Sequence, residues 1–221
     1  DLKEEIFKYA RSVNFSISNI FVIDGSRRSS HSNAFFTGFG SAKRVVLFDT
    51  LIESHTESEI VAVVAHEVGH YKKRHIIMGT TISVLHVGLL FFLLSQVVHN
   101  PGLHEAFFMD HVTIYAGIVF FGLLYKPVEL ILSLAMHGIS RLNEKQADMW
   151  AVDTLEQPEA LVFGLKGLAA KNLTNLDPHP LEVIVNHSHP PLGQRLQAIQ
   201  GRLDSRLLGN PTGTWDKGEK C

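Results

Sequence analysis

Cysteine is all but missing from this chain. Its 221 residues hold one, Cys221, at the last position. No disulfide can close within the chain and no cysteine zinc site can be built. Charge is scarce as well: Lys plus Arg number 20 and Asp plus Glu 22, for a formal net charge of −2. Charged residues make up 19%, against about 25% in soluble domains. Without a basic excess, no nucleic-acid partner is expected. There is no initial Met and no charged-then-apolar leader at Asp1, so the chain is expected to be a piece of a longer protein. Internal repeats and low-complexity blocks are absent too. The length suits one domain or two small ones, with a core that needs no covalent staples. What is abundant is apolar side chain, 45% of the residues, unevenly spread.

The front of the chain alternates short patterns. Residues 1–13 place Leu2, Ile6 and Tyr9 or Ala10 at helical spacing. Ile20–Ile23, Ala34–Phe39 and Arg44–Phe48 read as strands. The last two form a hairpin pattern around Gly40-Ser41-Ala42. Glu57–His75 reads as a helix, with Thr56 as N-cap and Glu59 completing a capping box.

Two apolar runs follow. Ile76–Val98 is 23 residues without Asp, Glu, Lys or Arg. As a helix it is about 35 Å long, enough to cross the roughly 30 Å hydrocarbon layer. Val112–Met136 is interrupted only by Lys126-Pro127 and Glu129. It spans if Pro127 kinks it and its charges face other helices or a wet cavity. Lys72, Lys73 and Arg74 precede the first run, Arg141 and Lys145 follow the second, and His99–His111 between them has no Lys or Arg. That asymmetry puts both outer ends on the cytoplasmic side of a helical hairpin. The buried-core alternative needs both runs covered by protein. Within the first run, His86 faces a polar cavity or pairs with a neighbouring helix.

The chemistry centres on His66-Glu67-Val68-Gly69-His70. On a helix, His66 and His70 are one turn apart and can hold one zinc ion, with Glu67 placed to take a proton from water. The apolar run Ile60–Ala65 argues against two stray surface histidines. Catalytic zinc takes three protein ligands, and no third His follows at the extended-motif spacing. Glu144 and Asp148 in RLNEKQADMWA are four apart and share a face. Glu144 could ligate while Asp148 orients a ligand histidine from behind; a solvated helix face fits the same spacing. In HSHPPLGQR, Pro190-Pro191 opens the next helix. His189 beside it could stabilise an oxyanion, although a lone His in a turn is more often structural. Arg195, further along, could pair with Asp148.

Taken together, SSHSNAFFTGFGSAKRVVLFDTLI (29–52), IVAVVAHEVGHYKKRH (60–75), SRLNEKQADMWA (140–151) and HSHPPLGQRLQAI (187–199) resemble the type I CAAX prenyl proteases, integral-membrane zinc metalloproteases, over residues 20–200. The resemblance implies roles. His66, His70 and Glu144 match the zinc ligands and Glu67 the general base. Asp148 matches the carboxylate behind them, Arg195 its partner, and His189 the histidine near the scissile carbonyl. Asn33 matches a residue on an edge strand that aligns substrate by strand addition. The family has seven membrane spans around a water-filled chamber, so further spans are expected upstream. GHYKKRH stands where eukaryotic members typically have GHWKLxH, and an acidic insertion some carry is absent. A bacterial or archaeal member, whose target need not be prenylated, is therefore the expectation.

The expected fold is mainly α with a small β-sheet, a zincin-like α+β catalytic domain plus a transmembrane helical hairpin. Residues 1–75 carry the sheet and HExxH helix, 76–137 the two spans, 138–205 the helical remainder of the catalytic domain, and 206–221 a disordered tail. The expected function is a membrane zinc metalloendopeptidase with one Zn(2+) per chain and the zinc site on the cytoplasmic side. It would act on CAAX-type, prenylated peptides or proteins in a lipid bilayer, either the inner membrane of a prokaryote or the endoplasmic reticulum. A quality-control membrane metalloprotease of the heat-shock type, a soluble metalloprotease and a non-catalytic zinc scaffold are the competing readings. Glu67 argues against the last, because zinc binding alone does not need it.

Overall fold

The computed structural model describes residues 1–27, 32–38 and 42–209. Phe39–Ser41 of the hairpin loop and the tail from residue 210 lie outside the described residues. Most described residues are helical, with one three-stranded sheet. The chain divides into two compact units. The first comprises Asp1–Lys73, Leu142–His179 and the chain from Pro190 on; the second comprises Arg74–Arg141 and Pro180–His189.

In the first unit, helix α1 (Leu2–Ser12) is capped by the Asp1 carboxylate and buries Ile6, Tyr9 and Ala10. Strands β1 (Asn19–Ile23), β2 (Ala34–Thr37) and β3 (Arg44–Phe48) form a sheet in the order β1-β3-β2. β2 and β3 pair antiparallel, Ala34 opposite Leu47 and Thr37 opposite Arg44. β1 pairs parallel with β3, from Asn19↔Arg44 to Ile23↔Phe48. Val45, Val46 and Leu47 are all buried, as expected of a central strand covered on both faces. β1 and β2 are the edges.

Helix α2 (Asp49–Ser54) follows β3 directly, and α3 (Glu57–Lys72) follows it with the Thr56–Glu59 capping box in place. α3 buries Ile60, Ala62, Val63, Val64, Ala65, His66, Val68 and Gly69. A helix apolar on most of its surface must sit inside the core. It packs against α1, β2 and α7 (Glu159–Lys171), and α7 packs against α9 (Leu192–Leu207). Ile60, Val64, Leu161 and Ile199 are at most 1% exposed. Truncating Ile60 or Leu161 to Ala is expected to cost about 2–5 kcal/mol.

Where helix was expected through His75, α3 stops at Lys72. Arg74 takes a left-handed conformation, φ 60°, before α4 (His75–Val97) begins. The Lys72 ammonium turns back to the carbonyls of Val13 and Asn14, at 2.8 and 3.1 Å.

The second unit holds α4, the short α5 (Pro101–Ala106), the first part of α6 (Ile114–Thr154) and α8 (Pro180–Asn186). α4 and α6 are each long and apolar enough to cross a membrane. They run antiparallel, as two contacts show. His86 Nε2 lies 2.9 Å from the Tyr125 hydroxyl, and a Cβ on Gly117 would meet the Val98 carbonyl oxygen at 2.3 Å. Only glycine fits that approach. Between the helices His104 is 1% exposed. Its Nδ1 donates to the Asn100 carbonyl at 2.9 Å, and its Nε2 lies 3.0 Å from the Thr113 carbonyl and 3.2 Å from the Thr113 N–H.

The helix of the second apolar run goes through Pro127 and continues past the expected boundary at 137, so that α6 is one 41-residue helix ending at Thr154. Lys126 and Glu129 pair with each other at 3.0 Å along its surface. Their charges are thus compensated one turn apart.

Candidate active site

Three helices of the first unit bring the site residues together. α3 supplies His66 and His70 one turn apart. α6 supplies Glu144 and Asp148 one turn apart, and α9 supplies Arg195. The approach of α3 to α6 depends on small residues. A Cβ on Gly69 would stand 3.0 Å from both the Cα and the carbonyl oxygen of Ala147, and 3.1 Å from Trp150 Cβ. At such separations the carboxylate of one helix reaches the imidazoles of the other.

The two imidazole Nε2 atoms are 3.1 Å apart. Glu144 Oε1 lies 3.2 Å from His70 Nε2, and Oε2 lies 3.5 Å from His66 Nε2. All three ligand atoms fall within 4.8 Å of one another. Two imidazole nitrogens and one carboxylate oxygen form the donor set of a metal site that keeps a position open for chemistry. The residues therefore fit a divalent metal. The His66 ring is also oriented by Asp148. Its Nδ1 is 2.8 Å from Asp148 Oδ1, so a proton on Nδ1 leaves the Nε2 lone pair turned toward the cluster.

Asp148, 1% exposed, also receives Arg195 in a two-pronged contact, Nε to Oδ2 at 2.9 Å and Nη2 to Oδ1 at 2.7 Å. Arg195 Nη1 lies 3.5 Å from Glu144 Oε2, so one guanidinium offsets two buried carboxylates. Burial works against charge on Asp148, but bonds from His66 and Arg195 reverse that and hold its pKa below the usual carboxylate range. Burial likewise opposes charge on His66, and its bonds to Asp148 and Glu144 push its pKa up to about 9. A metal at Nε2 would compete with that proton. Burial raises the pKa of Glu67, between the two histidines, against the opposing pull of their positive charge. A carboxyl with a raised pKa is a better proton acceptor.

Asn33 and His189 complete the expected set. Asn33 precedes β2 and is exposed. Its carbonyl accepts from the Phe48 N–H at 3.1 Å, and its Oδ1 accepts from the Ala34 N–H at 2.9 Å. The outer edge of β2 pairs with no other strand among the described residues. His189 is an exposed bend residue that ends the second unit, and Pro190-Pro191 precedes α9 instead of entering its first turn. Arg141 fixes the backbone before His189, donating to the carbonyls of Val183 at 3.1 Å and His187 at 2.8 Å. The contributions of Gly69 and Arg141 had not been anticipated. A glycine on the face of the metal-ligating helix was the available signal for the first; the second had none.

Comparison with known proteins agrees with this geometry. The profile of peptidase family M48 matches residues 1–203. CAAX prenyl protease 1 of Saccharomyces cerevisiae is 40% identical over 215 residues, covering 90% of this chain and 47% of the relative. CAAX prenyl protease 1 homolog of Arabidopsis thaliana is 41% identical over 206 residues, covering 91% and 47%. The crystal structure of S. mikatae Ste24p superposes with a TM-score of 0.81 at 39% identity, covering 90% of this chain and 50% of that one. The chain thus spans about half the length of the curated relatives it matches. With a match over nearly its whole length and the two histidines and glutamate of its motif gathered beside a buried carboxylate, this chain belongs to peptidase family M48.

Proposed function

We propose that the protein is an integral-membrane zinc metalloendopeptidase that cleaves CAAX-type, prenylated C-terminal peptides. The observation that carries this reading is the grouping of His66, His70 and Glu144 within 4.8 Å in a chain of the M48 family. The names of its relatives support the CAAX type over the quality-control type. Their eukaryotic sources support the endoplasmic reticulum over a prokaryotic inner membrane. The two long apolar helices support a bilayer as its surroundings, with the site on the cytoplasmic side by the Lys/Arg asymmetry.

His66, His70 and Glu144 would hold one zinc ion in a zincin-like catalytic domain. When bound, zinc supplies Lewis acidity that makes water a nucleophile near neutral pH and polarises a carbonyl. Glu67 takes the proton of the attacking water and passes it to the leaving amine nitrogen. Asp148 keeps the His66 ring turned to the ligand position, and Arg195 keeps Asp148 ionised. The peptide lies along the edge of β2, where Asn33 helps align it through backbone pairing. His189 donates to the carbonyl oxygen as charge develops there.

The test uses the complete protein in liposomes with a farnesylated CAAX peptide and its unprenylated counterpart. Wild type is expected to cleave the first in preference. Glu67→Gln should keep its zinc and lose about two to four orders of magnitude in rate, whereas Glu144→Ala should lose zinc to a chelator that wild type withstands. Near-normal cleavage by Glu67→Gln, or full zinc retention by Glu144→Ala, refutes the assignment.

A further inference from the structure

The edge of β2 can align a peptide only if its own start is fixed. Ser32, two residues before β2, is 2% exposed, and its backbone is gripped by one side chain from a distant helix. The Ser32 N–H donates to Asn172 Oδ1 at 3.0 Å, and Asn172 Nδ2 donates to the Ser32 carbonyl at 3.3 Å. An amide that accepts from the N–H and donates to the C=O of one residue reproduces what a neighbouring strand would offer. The next residue, Asn33, hands its carbonyl to the Phe48 N–H on β3. Consecutive residues are thus tied first to α7 and then to the sheet.

Asn172 is itself held rigidly. It is the C-cap of α7. Beyond it, the Leu173 N–H donates to the Ala170 carbonyl at 3.3 Å and the Thr174 N–H to the Ala169 carbonyl at 3.0 Å, the paired closure of a Schellman turn. That turn puts Leu173 at φ 50°, a left-handed conformation strained for leucine. Leu173 is 91% exposed, so its own packing does not account for the strain. At its other face α7 lies against α3, where a Cβ on Gly164 would come within 3.4 Å of the Glu59 carbonyl and 3.7 Å of Val63. One helix therefore packs on the helix bearing His66 and His70 and also grips the lead into β2.

We infer that Asn172 is a positioning residue for substrate: it sets the height and register of the β2 edge relative to the metal-ligating helix. This rests on β2 being the strand that takes the peptide. The test uses the complete protein in liposomes and three variants, Asn172→Ala, Asn172→Asp and Asn33→Ala. Amide exchange over residues 32–37 should speed up about tenfold in Asn172→Ala, the effect of two lost hydrogen bonds, with residues 57–72 unchanged. Asn172→Asp keeps the acceptor for the Ser32 N–H and should fall between wild type and Asn172→Ala. For the farnesylated peptide, KM should rise about tenfold in Asn172→Ala while kcat stays within twofold and zinc content is unchanged. Unchanged exchange in both Asn172 variants overturns the clamp, whatever the protein cleaves. Faster exchange with normal KM, when Asn33→Ala raises KM, overturns the link from clamp to substrate alone. If neither Asn33→Ala nor Asn172→Ala moves KM although exchange quickens, β2 is not the substrate strand and the positioning role falls with it. A loss of kcat equal to the rise in KM, with exchange faster throughout the unit, marks a merely structural residue and also overturns the inference.

Discussion

Replacing Asp148 by Asn separates the orientation of a metal ligand from ligation itself. The amide keeps the volume but removes the charge, and it turns one acceptor into a donor facing either Arg195 or His66. At an effective dielectric of about 20, opposite charges about 4 Å apart attract by about 4 kcal/mol. Leaving a buried guanidinium without its carboxylate costs about 3–5 kcal/mol in measured cases. A folding loss of that size is expected for Asp148→Asn. Metal affinity should fall about 10–100-fold as well, because His66 loses the group that orients its ring. The chain contains its own control. Five residues along α6, Asp153 receives Arg202 of α9 in the same two-pronged way, at 2.7 and 2.9 Å. The Asp153 side chain is 38% exposed, however, against 2% for Asp148. Water already solvates that pair, so Asp153→Asn should cost at most about 1 kcal/mol and leave metal binding unchanged. The assay is denaturant unfolding in lipid nanodiscs, paired with zinc retention against a graded chelator. Equal losses in the two variants would refute desolvation as the difference, and wild-type zinc affinity in Asp148→Asn would refute the orienting role.

Two other outcomes are expected. His189→Ala should lose about a hundredfold in turnover, the value of one oxyanion donor, and keep its zinc, whereas His187→Ala should stay near wild type; the reverse ranking, measured with zinc content on both, removes the proposed donor. With Cys221 replaced by Ser, single cysteines at Lys73 and at Asn100 should react with an impermeant label from opposite faces of a sealed vesicle, and reaction from one face refutes the hairpin topology.

Much of the site was legible from local signals. His66, Glu67 and His70 needed only helical spacing, and the Thr56–Glu59 box fixed where their helix begins. The 76–98 run was legible as one long helix, because 23 mostly apolar residues without a charge or a proline give no signal for a break. Glu144 and Asp148 were half legible. Spacing put them on one face, but only the packing of α3 on α6 turns that face inward. The parallel pairing of β1 with β3 was hidden because its register depends on residues 25 positions apart. Nothing in Lys73-Arg74-His75 resembles a helix stop, since the break at Arg74 uses a left-handed arginine where glycine is the usual signal. Pro127 was expected to lie inside a continuing helix, and α6 runs through it; what the pattern hid was how far that helix continues, to Thr154. Asn172 gave no signal at all, because its partner is a backbone 140 residues away.

The contact of Gly69 with Ala147 bears on how the pattern His-Glu-x-x-His should be read. Its two unspecified positions are chemically silent, yet neither is free here. Val68 is fully buried in the core, and one more carbon on Gly69 would press on the Ala147 backbone at 3.0 Å. Grafting the five residues onto another scaffold would carry over two imidazoles and a carboxylate. It would not carry over the close helix crossing that delivers the third ligand. A transplant would therefore have to include a facing helix with a small residue at the position of Ala147, three residues after its glutamate. In that sense the portable unit of this chemistry is a pair of helices and the spacing between them.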